Sequence, residues 1–555
     1  MRRRECGPNS CNGARVKLSR TGTGAIALVA TGALLLTGCA QGGGTGGGGT
    51  GSGSITVGTT DVVTALDPAG SYDNGSFAVM TNVFPMLMNH PIGKSEVEPD
   101  IATSAEFTSP TEYTVKLKKG LKFANGHDLT SSDVKFTFDR QVKIADPSGP
   151  SSLLANIASV DAKDPETVVF HLKEGNDQTF PQILSTPAAP IVDEEVFPAD
   201  KLASDDEIVK GKAFAGQYTL EAFKKNELAS YKAYDGYQGM WGKPKTASVN
   251  VKYFAKEPNL SQAIQTKAID VAFRSLPAAD IAKFRNTKGL KIVQGPGGAI
   301  RYIVFNFETQ PFGSKTPEAD PKKALAVRQA AADLVDREKI AKQVYEGTFS
   351  PLYSQVAQGF TGATESFKGE YGDKKGGPDA AAAKKALTDA GVQMPVTLKL
   401  QYNPDHYGDK SSEEYALVKQ QLEADGVFKV DLQSTEWGQY SADFPKDVYP
   451  VFQLGWFPDF SDADNYLSPF FTKGGGFTNN HYANEEVDAL IKKQRAVTDK
   501  AERTKDIEQI QDLVAKDAPI IPLLQGDQVA VTVDGVEGVT LDASFKFRLG
   551  TLTKK

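Results

Sequence analysis

From residue 55 onward, short runs in which apolar and polar positions alternate are interleaved with longer segments in which apolar residues return every three or four positions. Those two periods predict strands and amphipathic helices mixed along one α/β chain. EYTVKLKKGLKF (112–123) alternates throughout and predicts a strand pair, and ETVVFHL (166–172) predicts a further strand. TSSDVKFTFDRQVK (130–143) opens with capping residues and then places Val134, Phe138 and Val142 on one helical face.

The C-terminal half has the clearest periodicity. DAAAAKKALTDAG (379–391) predicts an alanine-rich helix closed by glycine. A strand (395–402), a helix (412–426), a strand (428–435), a short helix (437–444) and the strand YPVFQLGW (449–456) follow with short connections. Such an alternation implies right-handed crossovers and a parallel sheet. Ligands of these sheets bind outside the carboxyl ends of the strands, which points to FPDFSDADNY (457–466). Helices over 483–497 and 501–517 come next, and APIIPLLQGDQVAVT (518–532) returns to strand.

Residues 1–54 have a different grammar. A basic lead precedes GAIALVATGALLL (24–36), an apolar run too short to span a bilayer but suited to a secretory signal. It ends in Leu-Thr-Gly-Cys, which resembles a bacterial lipobox with Cys39 as the lipidated first mature residue. QGGGTGGGGTGSGS (41–54) is a flexible tether with an r.m.s. reach of about 20 Å. The expectation is a protein held by the lipid on Cys39 at the outer face of the cytoplasmic membrane.

Composition narrows the chemistry. Six of the 62 basic and one of the 69 acidic residues lie in 1–38, so the remainder carries 56 against 68, a formal charge of −12. That balance disfavours nucleic acid as a partner. Cys6, Cys11 and Cys39 are the three cysteines, which leaves neither a disulfide framework nor a thiol nucleophile beyond residue 39. The five histidines are scattered along the sequence. Asp459, Asp462 and Asp464 have D-x-x-D-x-D spacing without the glycine turn and closing glutamate of a calcium loop, so neither a metal nor any other cofactor is expected. No nucleotide-binding or hydrolase motif occurs, so the chain reads as a non-enzyme.

Four segments, in order along the chain, resemble the family 5 extracellular solute-binding proteins, the receptors of peptide-type ABC importers. They are ALDPAGSYDNGSFAVMTNVF (65–84), VEPDIATSAEF with YTVKLKKGLKFANGHDLTSSDVKFTFDR (97–140), RYIVFNFETQPF with AVRQAAADLVDREKIAKQVYEG (301–347), and GWFPDFSDADNYLSPFF with the later Pro-x-Ile-Pro (455–522). The resemblance implies a two-lobed, periplasmic-binding-protein-like (Venus flytrap) α/β fold with an extra domain inserted in the N-terminal lobe. Expected boundaries are 55–84, 212–300 and 529–555 for the N-terminal lobe, 85–211 for the extra domain and 301–528 for the second lobe.

It also implies candidate site residues. In peptide-binding relatives an aspartate after Gly-Trp-x-x holds the ligand's α-ammonium, and here that position is Asp459; by position alone it is equally a capping residue of the following turn. Gly455 and Trp456 would offer backbone to an extended peptide, with core packing as the alternative for the indole. Tyr72, Asp73 and Asn74, in the polar turn SYDNGS, would face the ligand from the other lobe. Where some relatives place an arginine, this chain has Gln453, which leaves the ligand's carboxylate without an obvious partner. The implied function is oligopeptide capture by a monomer that delivers to ABC permease subunits. An oligosaccharide stacked on Trp456, Phe457 and Tyr466, a metal chelate, or a peptide signal sensed without import are the alternatives. Asp462 is expected to contribute little to ligand binding.

Overall fold

The computed structural model describes residues 54–555 apart from Ser275, Asp409, Gly474 and Gly475. The leader, Cys39 and most of the glycine-rich tether lie outside the described residues. Among those described, no helix is long and apolar enough to cross a membrane.

A seven-stranded mixed sheet organises the first lobe. Its central strand, Ile55–Thr59, runs parallel to both neighbours, Ser248–Tyr253 and Val271–Phe273. On one side the sheet ends in the meander Leu228–Ala233 and Tyr218–Lys224. On the other, Gln528–Val533, from near the end of the chain, is inserted antiparallel between Val271–Phe273 and Leu290–Gly295. Val57, Tyr218, Val249, Val271 and Val531 meet in one core beneath it.

The second lobe is built on six strands in the order Phe349–Pro351, Ile520–Gly526, Ile300–Phe305, Val451–Trp456, Val396–Tyr402, Phe428–Ser434. The last three are mutually parallel, as the strand–helix alternation predicts, and the first three join them antiparallel. Both faces are covered. Along Ile300–Phe305, residues 303 and 305 enter one core while 300, 302 and 304 enter the other, which is why this strand reads as an unbroken apolar run after Arg301. Gly391 (φ +69°) takes the left-handed conformation that follows the helix Ala380–Asp389, as predicted from its sequence.

A four-stranded antiparallel sheet, Ala102–Ser109, Glu112–Leu117, Thr167–Leu172 and Ile157–Asp164, carries the helix Ser131–Ile144 on a third core. Two local expectations fail here. Residues 112–123 do not form a strand pair: Glu112–Leu117 pairs with its neighbours on both sides, and the chain beyond it turns, with only Lys122 bridging to Asp128. Val142 is exposed, and Gln141 takes the buried position after Val134 and Phe138, because the face advances by 3.6 residues per turn and the sheet covers only one side of it. The same helix is tied to the first lobe by a buried bidentate pair, Arg140 Nη1 and Nη2 to Asp67 Oδ1 and Oδ2 at 2.8 and 2.6 Å. Asp67 also accepts from the Ala69 and Ala203 N–H groups, so all of its lone-pair directions are used.

The chain passes between the two large sheets twice, over residues 296–299 and again at Asp527. At the crossings the backbones touch. A Cβ on Gly297 would lie 1.9 Å from the Gly526 carbonyl oxygen, so only glycine permits the approach. Gln525 Nε2 donates to Gly297 O (2.6 Å), Gly526 N–H to Ala299 O (2.8 Å) and Gln528 Nε2 to Pro296 O (2.7 Å), which laces the two crossings together.

Candidate functional site

A cavity of about 620 Å³ opens beside these crossings. Tyr72, Asp73, Asn74 and Phe77 line it from the first lobe, His90 and residues 185–187 from the inserted domain, and Arg301, Tyr407 and residues 457–461 from the second lobe. Gly297, Gly298, Gly526 and Asp527 of the crossings and Phe545 and Lys546 near the C-terminus complete the wall. The volume lies within the range of sites that enclose a small organic ligand.

Asp459 follows the end of Val451–Trp456, where the strand rule predicts a ligand group, and lines the cavity. Its Oδ1 accepts from the Tyr72 hydroxyl across the cleft, and its Oδ2 accepts from Asn465 Nδ2 at 3.2 Å. Asn465 Oδ1 in turn accepts from the Asp459 N–H (2.8 Å) and from Trp456 Nε1 (3.1 Å). One buried asparagine therefore sets the orientation of both residues. Burial and the Asp459 charge push the Tyr72 phenol far above its ordinary value, so it remains a donor.

The other candidates divide. Phe457 lines the cavity and is 59% exposed. Gly455 and Trp456 do not line it. The Gly455 backbone is paired with Arg301, and a Cβ there would meet the Tyr407 ring at 2.8 Å. The indole of Trp456 packs on Phe470 and Phe477 at 5.2 and 4.8 Å between centres. Tyr466 is buried and donates to Gly298 O at 2.8 Å. Residues 71–76 are not a simple turn: Asn74–Val83 is a helix capped by Asp73, whose carboxylate accepts from the Ser76 N–H and hydroxyl (both 2.8 Å) and from Thr64. A Cβ on Gly75 would come 2.1 Å from Val62 O, which explains the glycine.

Gln453 is buried and does not line this cavity; it accepts from the Asn403 N–H (2.8 Å) and donates to Ser411 Oγ (3.3 Å). Asp462 does not line the cavity; Arg503 Nη2 and Nη1 donate to its two carboxylate oxygens at 2.7 and 2.8 Å. Asp464 is buried against Ser468 and Gln494, and burial pushes its carboxyl up to about 6.

Three lining cations escape a reading of the sequence: Arg274, Arg301 and Lys546. Each comes from a different segment, and no motif links them. The available signal was a charge set inside apolar stretches, as in IRYIVF and FKFRL.

Comparison with known proteins agrees with this architecture. The family model described as bacterial extracellular solute-binding proteins, family 5 Middle, matches residues 96–478. The glutathione-binding protein GsiB of Escherichia coli O1:K1 / APEC is 26% identical over 500 residues, covering 87% of this chain and 91% of that protein. The probable D,D-dipeptide-binding periplasmic protein DdpA of Escherichia coli (strain K12) is 24% identical over 514 residues, with coverage of 90% and 94%. Among solved structures, HbpA2 from Haemophilus parasuis superposes with a TM-score of 0.78 at 19% identity, covering 91% of this chain and all of that one.

Proposed function

The chain belongs to the bacterial extracellular solute-binding proteins of family 5, and from that premise we propose that it captures short peptides between its lobes and hands them to an ABC import permease. Cys39 would carry the lipid that holds the monomer at the outer face of the cytoplasmic membrane, with residues 41–54 as its tether. The observation that carries the peptide reading is Asp459: a carboxylate with fixed orientation, lining an interlobe cavity, met from the opposite lobe only by a neutral phenol. An α-ammonium is the ligand group that such a carboxylate fits, since a charge-assisted hydrogen bond gains strength away from bulk water. The relatives' names, glutathione-binding and D,D-dipeptide-binding, support a ligand of this class and size. Stacking on a sugar loses two of its three candidate rings, Trp456 and Tyr466, to internal packing.

Work is done by closure. A ligand that contacts both lobes favours the closed form by its differential affinity for it, and the permease would read that form. No bond in the ligand needs to change.

The test is a double-mutant cycle between protein and ligand, read by calorimetry with a tripeptide and its N-acetyl derivative. Asp459→Asn keeps the shape and removes the charge. Losing one partner of a buried charge pair costs about 2–5 kcal/mol, roughly 30-fold to several-thousand-fold in affinity. Acetylation of the ligand should weaken binding to the native protein similarly, and the two changes together should cost far less than their sum. Equal binding of free and acetylated peptide by the native protein would remove Asp459 as the ammonium anchor.

A further inference from the structure

The three cations that line the cavity are not equivalent. Arg274 is paired with Asp61 at 2.5 Å and Arg301 with Glu414 at 3.2 Å. Lys546 has no such partner: among the described residues, no carboxylate oxygen lies within ion-pair distance of its Nζ. That atom donates to the neutral Asn89 Oδ1 at 2.8 Å, and it sits 3.7 Å from Met86 Sδ and 5.7 Å from the centre of the Phe77 ring. The residue is only 4% exposed.

The charged groups around it are committed elsewhere. Asp542 is held by Arg548 at 2.9 Å, and Asp100 accepts from Asn89 Nδ2, the Tyr237 hydroxyl and the Met240 N–H. His90, also on the cavity wall, is kept neutral by burial and by the two cations beside it. A buried ammonium whose acceptors are only a neutral amide oxygen and a thioether sulfur is an unfavourable arrangement unless something anionic completes it. Lys546 lines the cavity, the side on which a ligand would sit.

We propose that Lys546 receives a carboxylate of the bound ligand, so that the cavity is a two-ended site for short zwitterionic peptides, with the ammonium at Asp459 and a carboxylate at Lys546. This rests on the peptide reading above and supplies the carboxylate partner that Gln453 does not. Both a peptide C-terminus and an acidic side chain present the required group.

The arrangement has a measurable signature. Burial, reinforced by Arg548, pushes the Lys546 amine down to about 7 in the empty protein, with the Asp100 and Asp542 charges opposing the shift. A bound carboxylate favours the charged amine and raises that value. Above pH 7, binding must therefore be accompanied by proton uptake; near pH 6 the amine is already charged and uptake is small.

Calorimetry of the native protein with Ala-Ala-Ala at pH 8, in two buffers of different ionisation heat, should give uptake approaching one proton beyond that of the peptide's own α-amino group, which titrates near about 8, the total falling towards zero at pH 6. Ala-Ala-Ala amide should bind roughly 30-fold or more weakly, and with only the uptake due to its own α-amino group, if the carboxylate is the C-terminus. If it is a side chain, Ala-Glu-Ala amide should bind with uptake while Ala-Gln-Ala amide does not. Lys546→Met should erase whichever difference is seen, and the ligand arms decide the matter on native protein should that variant fold poorly. Tight binding of all four peptides with equal affinity and no proton uptake beyond that of the α-amino group would overturn the assignment and leave the peptide reading standing. Binding of none of them would overturn the peptide reading and this subsite with it.

Discussion

Replacing Tyr72 with phenylalanine isolates one hydrogen bond between the lobes. The Tyr72 hydroxyl donates to Asp459 from the opposite lobe, and the substitution deletes that donor while keeping the ring. Hydrogen bonds to charged acceptors contribute about 1.5–3 kcal/mol. Tyr72 is 39% exposed, so water competes for both partners and the lower end applies. Other contacts between the lobes remain, among them Ser461 Oγ to Ala543 O at 2.9 Å, Gln178 N–H to Arg495 O at 2.9 Å, and Phe460 seated on the core of the inserted domain. Losing about 1.5 kcal/mol from this set raises the open-to-closed ratio of the empty protein by about tenfold. A peptide enters through the open form, so its association rate at low concentration should rise by up to the same factor. The assay pairs stopped-flow binding with distance measurements between labels on the exposed lysines 224 and 429, one on each large sheet. With saturating ligand, native and variant should show the same closed distance. An unchanged distance distribution and unchanged association rate in the empty variant would refute the latch, and would place the cleft's resting state under the control of the remaining contacts.

Two further substitutions probe the frame. Gly297→Ala should destabilise the protein by about 3 kcal/mol or more, because the added methyl meets backbone that no side-chain rotation can move; a melting temperature equal to that of the native protein would mean that the crossings separate freely. Cys39→Ser should release the protein from the membrane fraction into the medium or periplasm, and tight membrane association of that variant in high salt would contradict the proposed anchor.

The strand–helix alternation of the second lobe was legible because each element there obeys its own period and is buried on the face that period defines. Asp459 was legible for a related reason: the carboxyl end of a parallel strand is a position that a sequence can display. The motifs that carried the family resemblance proved to be largely scaffold. Leu-Asp-Pro and Phe-Asp-Arg meet in the buried Asp67–Arg140 pair, and the two arginines of the 326–337 region bond to carbonyls, Arg328 to Asp517 O and Arg337 to Pro522 O. Trp456, for all its proximity to Asp459, turns into the core. Lys546 and Arg274 were illegible because they are 87 and 185 positions from Asp459 in sequence and converge only through the two crossings and the C-terminal return. Val142 misled for the simpler reason that a face eight residues long does not fix which side of its last turn is covered.

The return of Gln528–Val533 into the first sheet, between Val271–Phe273 and the edge strand Leu290–Gly295, also dictates an order of assembly. The second lobe takes its six strands from one continuous stretch, from Ile300–Phe305 to Ile520–Gly526, and contains everything its sheet needs. The first lobe, although it is synthesised earlier, has a gap between Val271–Phe273 and Leu290–Gly295 until nearly the whole chain has been made. A polypeptide that emerges from the ribosome N-terminus first thus cannot close its leading sheet while its end is still being made. Long-range pairing of this kind is slow. In the secretion that the proposed leader implies, that delay would keep the leading sheet open during passage.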